Sequence, residues 1–101
     1  MAILAIFTGK GLDKKKYDTL IKEVGWKQTH PSGAIVHVAS FDDKENIHVA
    51  DVWESKEALD AFVEKQLMPV MKRMSIPMPS VEIFAVHNID SFKGIDRYKV
   101  Q

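Results

Sequence analysis

The stretch AIVHVASFDDKENIHVADVW, residues 34–53, decides the fold of this chain. Its two ends, Ala34–Phe41 and 46–53, are rich in residues that favour β-strands. The polar tetrapeptide DDKE at 42–45 lies between them and suits a hairpin turn. The stretch therefore predicts two neighbouring antiparallel strands.

The register of this hairpin decides which side chains meet. With a loop of five residues, His37 pairs with Asp51. The same register pairs Ile35 with Trp53. With a loop of four residues, His37 pairs with Ala50 and points to the helices, since a slip of one residue moves every side chain to the other face. We favour the five-residue loop, because it lets a buried imidazole and a buried carboxylate form a hydrogen bond.

A strand and a helix are predicted before the hairpin, and a helix and a strand are predicted after it. Upstream, AILAIFT at 2–8 predicts a buried strand, and Asp13 is a plausible N-cap of the helix that follows. Downstream, Ser55 caps a second helix, which Pro69 kinks or breaks because it restrains Met68 away from helical geometry. A final strand is predicted at 80–87. Apolar residues recur at helical spacing in both helices. They are Tyr17, Leu20, Ile21 and Val24 in the first, and Leu59, Phe62, Val63, Leu67, Val70, Met71 and Met74 in the second.

The resulting order, β-α-β-β-α-β, predicts an α+β domain with the ferredoxin-like fold. Right-handed crossovers place both helices on one face of a four-stranded antiparallel sheet, with the strands in the order 4-1-3-2. We predict one such domain over residues 1–89. A polar C-terminal tail, residues 90–101, follows it.

The third predicted strand carries apolar side chains on both faces. Val49 and Trp53 share one face with Asp51, while Ala50 and Val52 share the other. The sheet face without helices would therefore expose an apolar patch. A second copy of the sheet covers it most simply, so we predict a homodimer, a dimeric α/β barrel. The two sheets would enclose a hollow into which the face that carries Asp51 points.

Composition narrows the choice of partners and cofactors. The 101 residues include 14 basic and 14 acidic side chains, so no net charge draws the chain to nucleic acid or to an anionic membrane. The absence of cysteine excludes disulfides and thiolate-held metals. The apolar run 2–7 is too short for a signal sequence or a membrane span, which predicts a cytoplasmic protein. No spacing of histidines or carboxylates indicates a metal site.

The motif DVWESKEAL, residues 51–59, resembles a strand end and helix start of the dimeric α/β-barrel superfamily. That superfamily includes antibiotic-biosynthesis-type monooxygenases and haem-degrading monooxygenases. The segments HVA at 37–39 and VHN at 86–88 are similar to segments of small bacterial members. The resemblance spans residues 1–89. It implies the fold and a ligand cavity but not the reaction, since one fold hosts many functions.

The resemblance also carries single residues. Trp53 matches a strand-end tryptophan that lines the cavity of the haem-degrading members. Those members place an asparagine on the first strand, where Phe7 is the nearest residue here. They hold haem iron with a histidine on the helix after the tryptophan, and no histidine lies between Trp53 and Val86. The resemblance therefore disfavours haem degradation.

A His–Asp pair in a dry cavity is the main candidate for catalysis. His37 is a candidate general base, and Asp51 would hold its tautomer. Such a pair is also typical of a hydrogen bond that only satisfies two buried groups. We expect the ligand to be contacted by apolar side chains on the strands and by methionines of the second helix, whose apolar face either fills the core or forms an adaptable lid. These residues are Trp53, Val49, Phe7, Met71 and Met74.

These features predict a protein that binds a small aromatic or hydrophobic molecule and uses no cofactor. The expected activity is monooxygenation of an aromatic, quinol-like or polyketide-like substrate, or a related proton abstraction. His37 would be the base, and Trp53 would stack on the substrate. The alternative is a non-catalytic, ligand-binding or stress-associated dimer. Haem binding is a third function, which the missing helical histidine disfavours.

Overall fold

Four strands and the helices between them form the fold. The computed structural model describes residues 1–99, apart from the side chains of residues 27 and 29; residues 100 and 101 of the predicted tail lie outside the described residues. The strands are β1 (Ile3–Gly9), β2 (Ala34–Phe41), β3 (Ile47–Trp53) and β4 (Ser80–Ala85). The helices are α1 (Lys14–Val24), α2 (Trp26–Thr29), α3 (Lys56–Phe62) and α4 (Met68–Arg73). A π-helical turn, Val63–Leu67, joins α3 to α4, and a 3-10 turn, Lys93–Arg97, lies in the tail.

The strands form one antiparallel sheet in the order β2-β3-β1-β4. This confirms the α+β, ferredoxin-like fold and the strand order predicted from the sequence. The apolar stripes of the helices pack on one face of the sheet. In one core cluster Leu20 and Met71 meet Val49, and in a second Leu59 and Phe62 meet Trp53.

The two long helices of the predicted fold begin where the sequence predicts. The Asp13 carboxylate accepts a hydrogen bond of 2.8 Å from the backbone N–H of Lys16, and the Ser55 hydroxyl accepts one of 3.1 Å from Ala58. These bonds satisfy N–H groups that the first helical turn leaves without partners. Gly25 ends α1 at a φ of 75°, a left-handed conformation that glycine adopts without steric cost.

A π-helical turn lies in the second long helix just before Pro69, where the sequence predicts a kink or a break. The N–H of Met68 bonds to the carbonyl of Val63, five residues back. Such a widened turn relieves the clash that a proline ring makes with the carbonyl four residues before it. Met68 was expected to leave helical geometry, and that expectation is wrong: its φ of −57° and ψ of −43° are helical.

The hairpin has the five-residue loop. Phe41 pairs with Ile47, and His37 pairs with Asp51. The predicted pairing of Ile35 with Trp53 is wrong, because the ladder is irregular at Ile35 and Ala34 lies opposite the tryptophan. Such a bulge leaves the extra residue unpaired; the side chain of Ile35 is 47% exposed.

The face of the sheet that carries Asp51 needs a further correction. Val49, Asp51 and Trp53 were expected to point into a hollow between two subunits, but all three point towards the helices of their own chain and are buried there. The opposite face is uncovered by this chain. Cross-strand pairing places on it Leu4, Ile6, Val36, Val38, Ala50, Val52 and Phe84.

Candidate functional site

A chain of hydrogen bonds links four side chains under the helices. The Trp53 indole N–H donates to Asp51 Oδ2 over 3.1 Å. Asp51 Oδ1 lies 2.6 Å from His37 Nδ1. The other ring nitrogen, Nε2, lies 2.7 Å from the hydroxyl oxygen of Tyr17. Strands β2 and β3 thus position the imidazole and the carboxylate, and α1 contributes the tyrosine.

The chemistry of these groups fixes the direction of each hydrogen bond. A carboxylate only accepts, so Asp51 takes the proton of His37 Nδ1 as its bond partner. A neutral imidazole has one N–H, so Nε2 of His37 accepts. Tyr17 must then donate its O–H to Nε2. This assignment of protons follows from the network. It gives each of the four linked side chains a hydrogen-bond partner.

The imidazole of His37 is largely buried and lies next to two aromatic rings. Asp51 is 5% exposed, and the side chain of His37 is 19% exposed. The Trp26 ring lies 4.6 Å from the His37 ring between centroids, tilted by 50°. The Tyr17 ring lies nearly parallel to the imidazole at 6.3 Å. In this surrounding, electrostatic interactions are stronger than they are in water.

The environment of Tyr17 changes its acidity. Burial is the main cause and the negative charge of Asp51 is the second, and together with the charge of Asp18 they raise the pKa of Tyr17 to about 12. The phenol therefore stays protonated at neutral pH. A protonated Tyr17 is the form that can donate to His37.

A cavity of about 80 Å³ lies between the helices and the sheet. Its wall is apolar except where Tyr17, His37 and Asp51 contribute to it. Helix α1 and the π-helical turn form much of one side, and strands β1 and β3 form the other. The cavity belongs to a single chain, so the site does not depend on a hollow between subunits.

The structure brings most of the predicted site residues together. His37, Asp51, Val49, Phe7 and Met71 all line the cavity. The remaining two are placed elsewhere. Trp53 is 1% exposed and packs against Phe62, with ring centroids 5.3 Å apart, beneath Asp51. Met74 is half-buried against the core and does not line the cavity.

Two residues of the site were missed by sequence reasoning. The sequence places Tyr17 only in the apolar stripe of α1, and it assigns no role in the site to Trp26. A tyrosine in such a stripe has a hydroxyl that needs a hydrogen-bond partner once it is buried. That requirement indicates that Tyr17 has a hydrogen-bond partner, but it does not identify the partner. For Trp26 the sequence offers no comparable signal.

Residues 1–99 contain neither a metal-binding cluster nor a membrane-spanning helix. Within residues 1–99, no three side chains of His, Cys, Asp or Glu lie where they could hold a metal ion. None of the helices described is long and apolar enough to span a membrane. The cavity wall contains no charged side chain other than Asp51 and, on protonation, His37.

Comparison with known proteins gives matches in structure alone. No protein family model matches the sequence, and no curated protein matches it. A proposed antibiotic biosynthesis monooxygenase from Chloroflexus aurantiacus J-10-fl is similar, with a TM-score of 0.64 and 16% identity over 90% of this chain and 98% of that one. A mutant of SnoaB, a cofactor-independent oxygenase from Streptomyces nogalater, gives a TM-score of 0.59 and 12% identity over 87% of this chain and 93% of that one.

A conserved protein from Methanosarcina mazei Go1 is similar to the same degree. Its TM-score is 0.64 at 14% identity, over 83% of this chain and 91% of that one. At identities this low the likeness concerns the backbone, since unrelated functions share such folds. The chain therefore has the ferredoxin-like α+β fold of these proteins, which include a proposed antibiotic biosynthesis monooxygenase and a cofactor-independent oxygenase.

Proposed function

We propose that this protein is a cofactor-independent monooxygenase that acts on a small aromatic hydroxyl compound of the phenol, quinol or polyketide type. The observation that carries the proposal is the 2.6 Å hydrogen bond between His37 Nδ1 and Asp51 in the wall of an apolar cavity. Asp51 holds the imidazole in the tautomer whose Nε2 can accept a proton. The fold shared with SnoaB supports the reaction class.

Proton removal is the step that this site can supply. A neutral phenol is a poor reductant, whereas its phenolate can transfer an electron to O₂. The resulting aryloxyl radical and superoxide combine to form a C–O bond, and the peroxide loses water to give a quinone. One oxygen atom of O₂ enters the ring and the other leaves as water, which takes up the two hydrogen atoms of the reacting O–H and C–H groups. The overall reaction consumes no external reductant.

The surroundings of His37 suit this role. A protonated His37 would have the Asp51 carboxylate at 2.6 Å and the ring of Trp26 beside it, with 4.6 Å between the two ring centroids. The apolar wall excludes water from the reactive anion and radical. It also offers the apolar contacts that orient a flat ligand, from Phe7, Val49 and Met71.

Oxygen uptake with a series of candidate substrates tests this proposal. We would supply phenol, 1-naphthol and anthrone and identify the products by mass spectrometry with isotope-labelled O₂. The variant His37→Ala should lower the turnover number about 10²- to 10⁴-fold, the usual contribution of a general base. His48→Ala is the matched control, because His48 forms an exposed pair with Asp42 at 2.9 Å. Equal turnover in wild type and His37→Ala would contradict the assignment of the base.

A non-catalytic ligand-binding protein is the second candidate, and one observation favours it. Both nitrogens of His37 already have protein partners, as is typical of a structural network. Binding of the same compounds without oxygen uptake would support this candidate. Haem binding is less well supported, since α3, the π-helical turn and α4 contain no histidine that could hold the iron. The absence of a Soret shift on titration with haemin is expected.

We propose as well that the chain forms a homodimer through the uncovered face of its sheet. Each of the four strands contributes apolar side chains to that face, although Glu82 also lies on it, and Val38 and Phe84 are 55% and 49% exposed there. Contiguous apolar patches of this kind mark interaction surfaces. A two-fold axis would place the same patch of a second copy against it.

A further inference from the structure

Neither ring nitrogen of His37 is free. Nδ1 lies 2.6 Å from the Asp51 carboxylate, and Nε2 lies 2.7 Å from the Tyr17 hydroxyl. A ligand that gave its proton directly to His37 would first have to displace Tyr17. Tyr17 itself lines the cavity, and its oxygen keeps lone pairs that the bond to His37 does not use.

We infer that Tyr17 is the residue that contacts the ligand hydroxyl, and that it relays the ligand's proton to His37. The inference rests on the proposed function, because it names the path by which the proton reaches the base. It assigns a catalytic role to a side chain of α1, twenty residues before the histidine in the sequence. His37 then acts as the proton store and not as the group that meets the ligand.

The relay moves two protons and creates one charge pair. The ligand O–H bond breaks and its proton forms a new O–H bond on Tyr17. The original Tyr17 O–H bond breaks at the same time, and that proton forms an N–H bond on Nε2 of His37. The products are the ligand anion, a neutral Tyr17 and an imidazolium paired with Asp51. Net charge is unchanged by the step.

The surroundings of Tyr17 are consistent with its role as a proton relay and not with a role as the base. Its raised pKa, caused first by burial and then by the charge of Asp51, keeps the phenol protonated. A protonated phenol cannot accept a proton unless it releases its own. His37 takes the released proton, because the Asp51 carboxylate and the Trp26 ring both stabilise the imidazolium.

The direction of the Tyr17–His37 hydrogen bond is the first thing to test. Side-chain ¹⁵N NMR distinguishes a protonated ring nitrogen from one that accepts. We expect His37 to carry its proton on Nδ1, and Tyr17→Phe to shift the Nε2 resonance only. Tyr98→Phe, at a tail residue that is 80% exposed, is the matched control and should change neither resonance. A proton on Nε2 in the wild type would overturn the inference.

The second test reads proton transfer without oxygen chemistry. The probe is 4-nitrophenol, whose phenolate has its own absorption band. We expect the wild type to bind it partly as the phenolate. Tyr17→Phe should bind it with an affinity changed less than about threefold but with at least about tenfold less phenolate, the loss expected for a hydrogen bond to a charged oxygen. His37→Ala should bind it as the neutral phenol.

The outcomes separate this inference from the proposed function. Equal phenolate in the wild type and Tyr17→Phe, with a loss in His37→Ala, would overturn the relay and leave His37 as a direct base. Binding by the wild type with no phenolate, or no binding at all, would overturn the relay too. Phenolate formation that depends on Tyr17, without oxygen uptake by any substrate, would support the relay while the monooxygenase proposal failed.

Discussion

Replacement of Asp51 by asparagine should reverse the direction of the hydrogen-bond chain. The Trp53 indole can only donate, so the single amide oxygen of the asparagine must accept from it. The amide NH₂ group then faces Nδ1 of His37, which has to accept and therefore loses its proton. The proton of the neutral imidazole moves to Nε2, and Tyr17 changes from donor to acceptor. We expect Asp51→Asn to fold but to hold the wrong tautomer of His37.

The magnitude follows from the two bonds that Asp51 accepts. A hydrogen bond to a charged group contributes about 1.5–3 kcal/mol and a neutral one about 1 kcal/mol. Asp51→Asn keeps both bonds as neutral ones, so the free energy of unfolding should fall by about 1–4 kcal/mol. Asp51→Leu leaves two buried donors unpaired and should cost about 2–6 kcal/mol. A domain with a total of about 5–15 kcal/mol would be close to unfolding in the second case.

Urea denaturation followed by tryptophan fluorescence measures both variants, and side-chain ¹⁵N NMR reports the tautomer. Asp42→Asn is the matched control, since this exposed carboxylate pairs with His48, and it should change the unfolding midpoint less than either variant at Asp51. Turnover, where oxygenation is found, should fall by about 10²-fold or more in Asp51→Asn, as in serine proteases that hold the wrong tautomer. An unchanged His37 tautomer, or equal stability of the Leu and Asn variants, would refute the reasoning.

Three further predictions concern other parts of the chain. Burial and neighbouring negative charge raise the pKa of Tyr17 from 10.0 to about 12, so its contribution to stability is complete below pH 10 and is lost as the pH rises to about 12. In Tyr17→Phe, the free energy of unfolding measured as a function of pH should not show this loss between pH 10 and about 12. Gly33→Ala should lower the free energy of unfolding by about 1–3 kcal/mol, because φ is +88° and the new Cβ would lie 2.7 Å from that of Ala58. Gly94→Ala, with nothing within 4 Å, should have little effect, and equal losses in both would contradict the steric cause. Val38→Glu should give a folded monomer in sedimentation at micromolar concentration, and a wild type that is already monomeric would end the dimer proposal.

The fold could be predicted from the sequence because the capping residues agree with the hydrophobic pattern of the whole chain. Strand and helix periods alternate without ambiguity, and caps at Asp13 and Ser55 mark the helix starts. The hairpin register was derived from one physical requirement. A buried imidazole and a buried carboxylate need each other, and that requirement selected the loop that the structure contains.

The covered face of the sheet could not be read from the sequence. Alternation tells which side chains of β3 share a face, but not which face the helices cover. Both faces of β3 are apolar: Ala50 and Val52 on one side, Val49 and Trp53 on the other. The choice depends on the handedness of the crossovers and the twist of the strands, which the hydropathy pattern does not contain. The site residues were therefore expected at a subunit interface and instead lie inside one chain.

The site itself was predicted only where its residues are neighbours in one hairpin. His37 and Asp51 meet through the register of β2 and β3, which the sequence constrains. Tyr17 and Trp26 reach the same imidazole from α1 and α2, through contacts that depend on how the helices lie on the sheet. Ridges and grooves of side chains set such packing, and many arrangements satisfy the same apolar stripe.

Ligand binding requires the cavity to widen, whereas the hydrogen-bond chain requires its side chains to stay in place. A cavity of about 80 Å³ is smaller than the engineered cavity of about 150 Å³ that holds benzene, so an aromatic ligand requires the wall to move. Tyr17, His37 and Asp51 are tied to one another at 2.6–2.7 Å, and the strands hold two of them. The cavity wall also includes both ends of the π-helical turn, Val63 and Leu67, which take no part in this hydrogen-bond chain. Turns of that kind interrupt the regular helical ladder and recur at functional sites. We therefore expect an aromatic ligand to displace the π-helical turn and not α1, because a movement of α1 would break the 2.7 Å hydrogen bond between Tyr17 and His37.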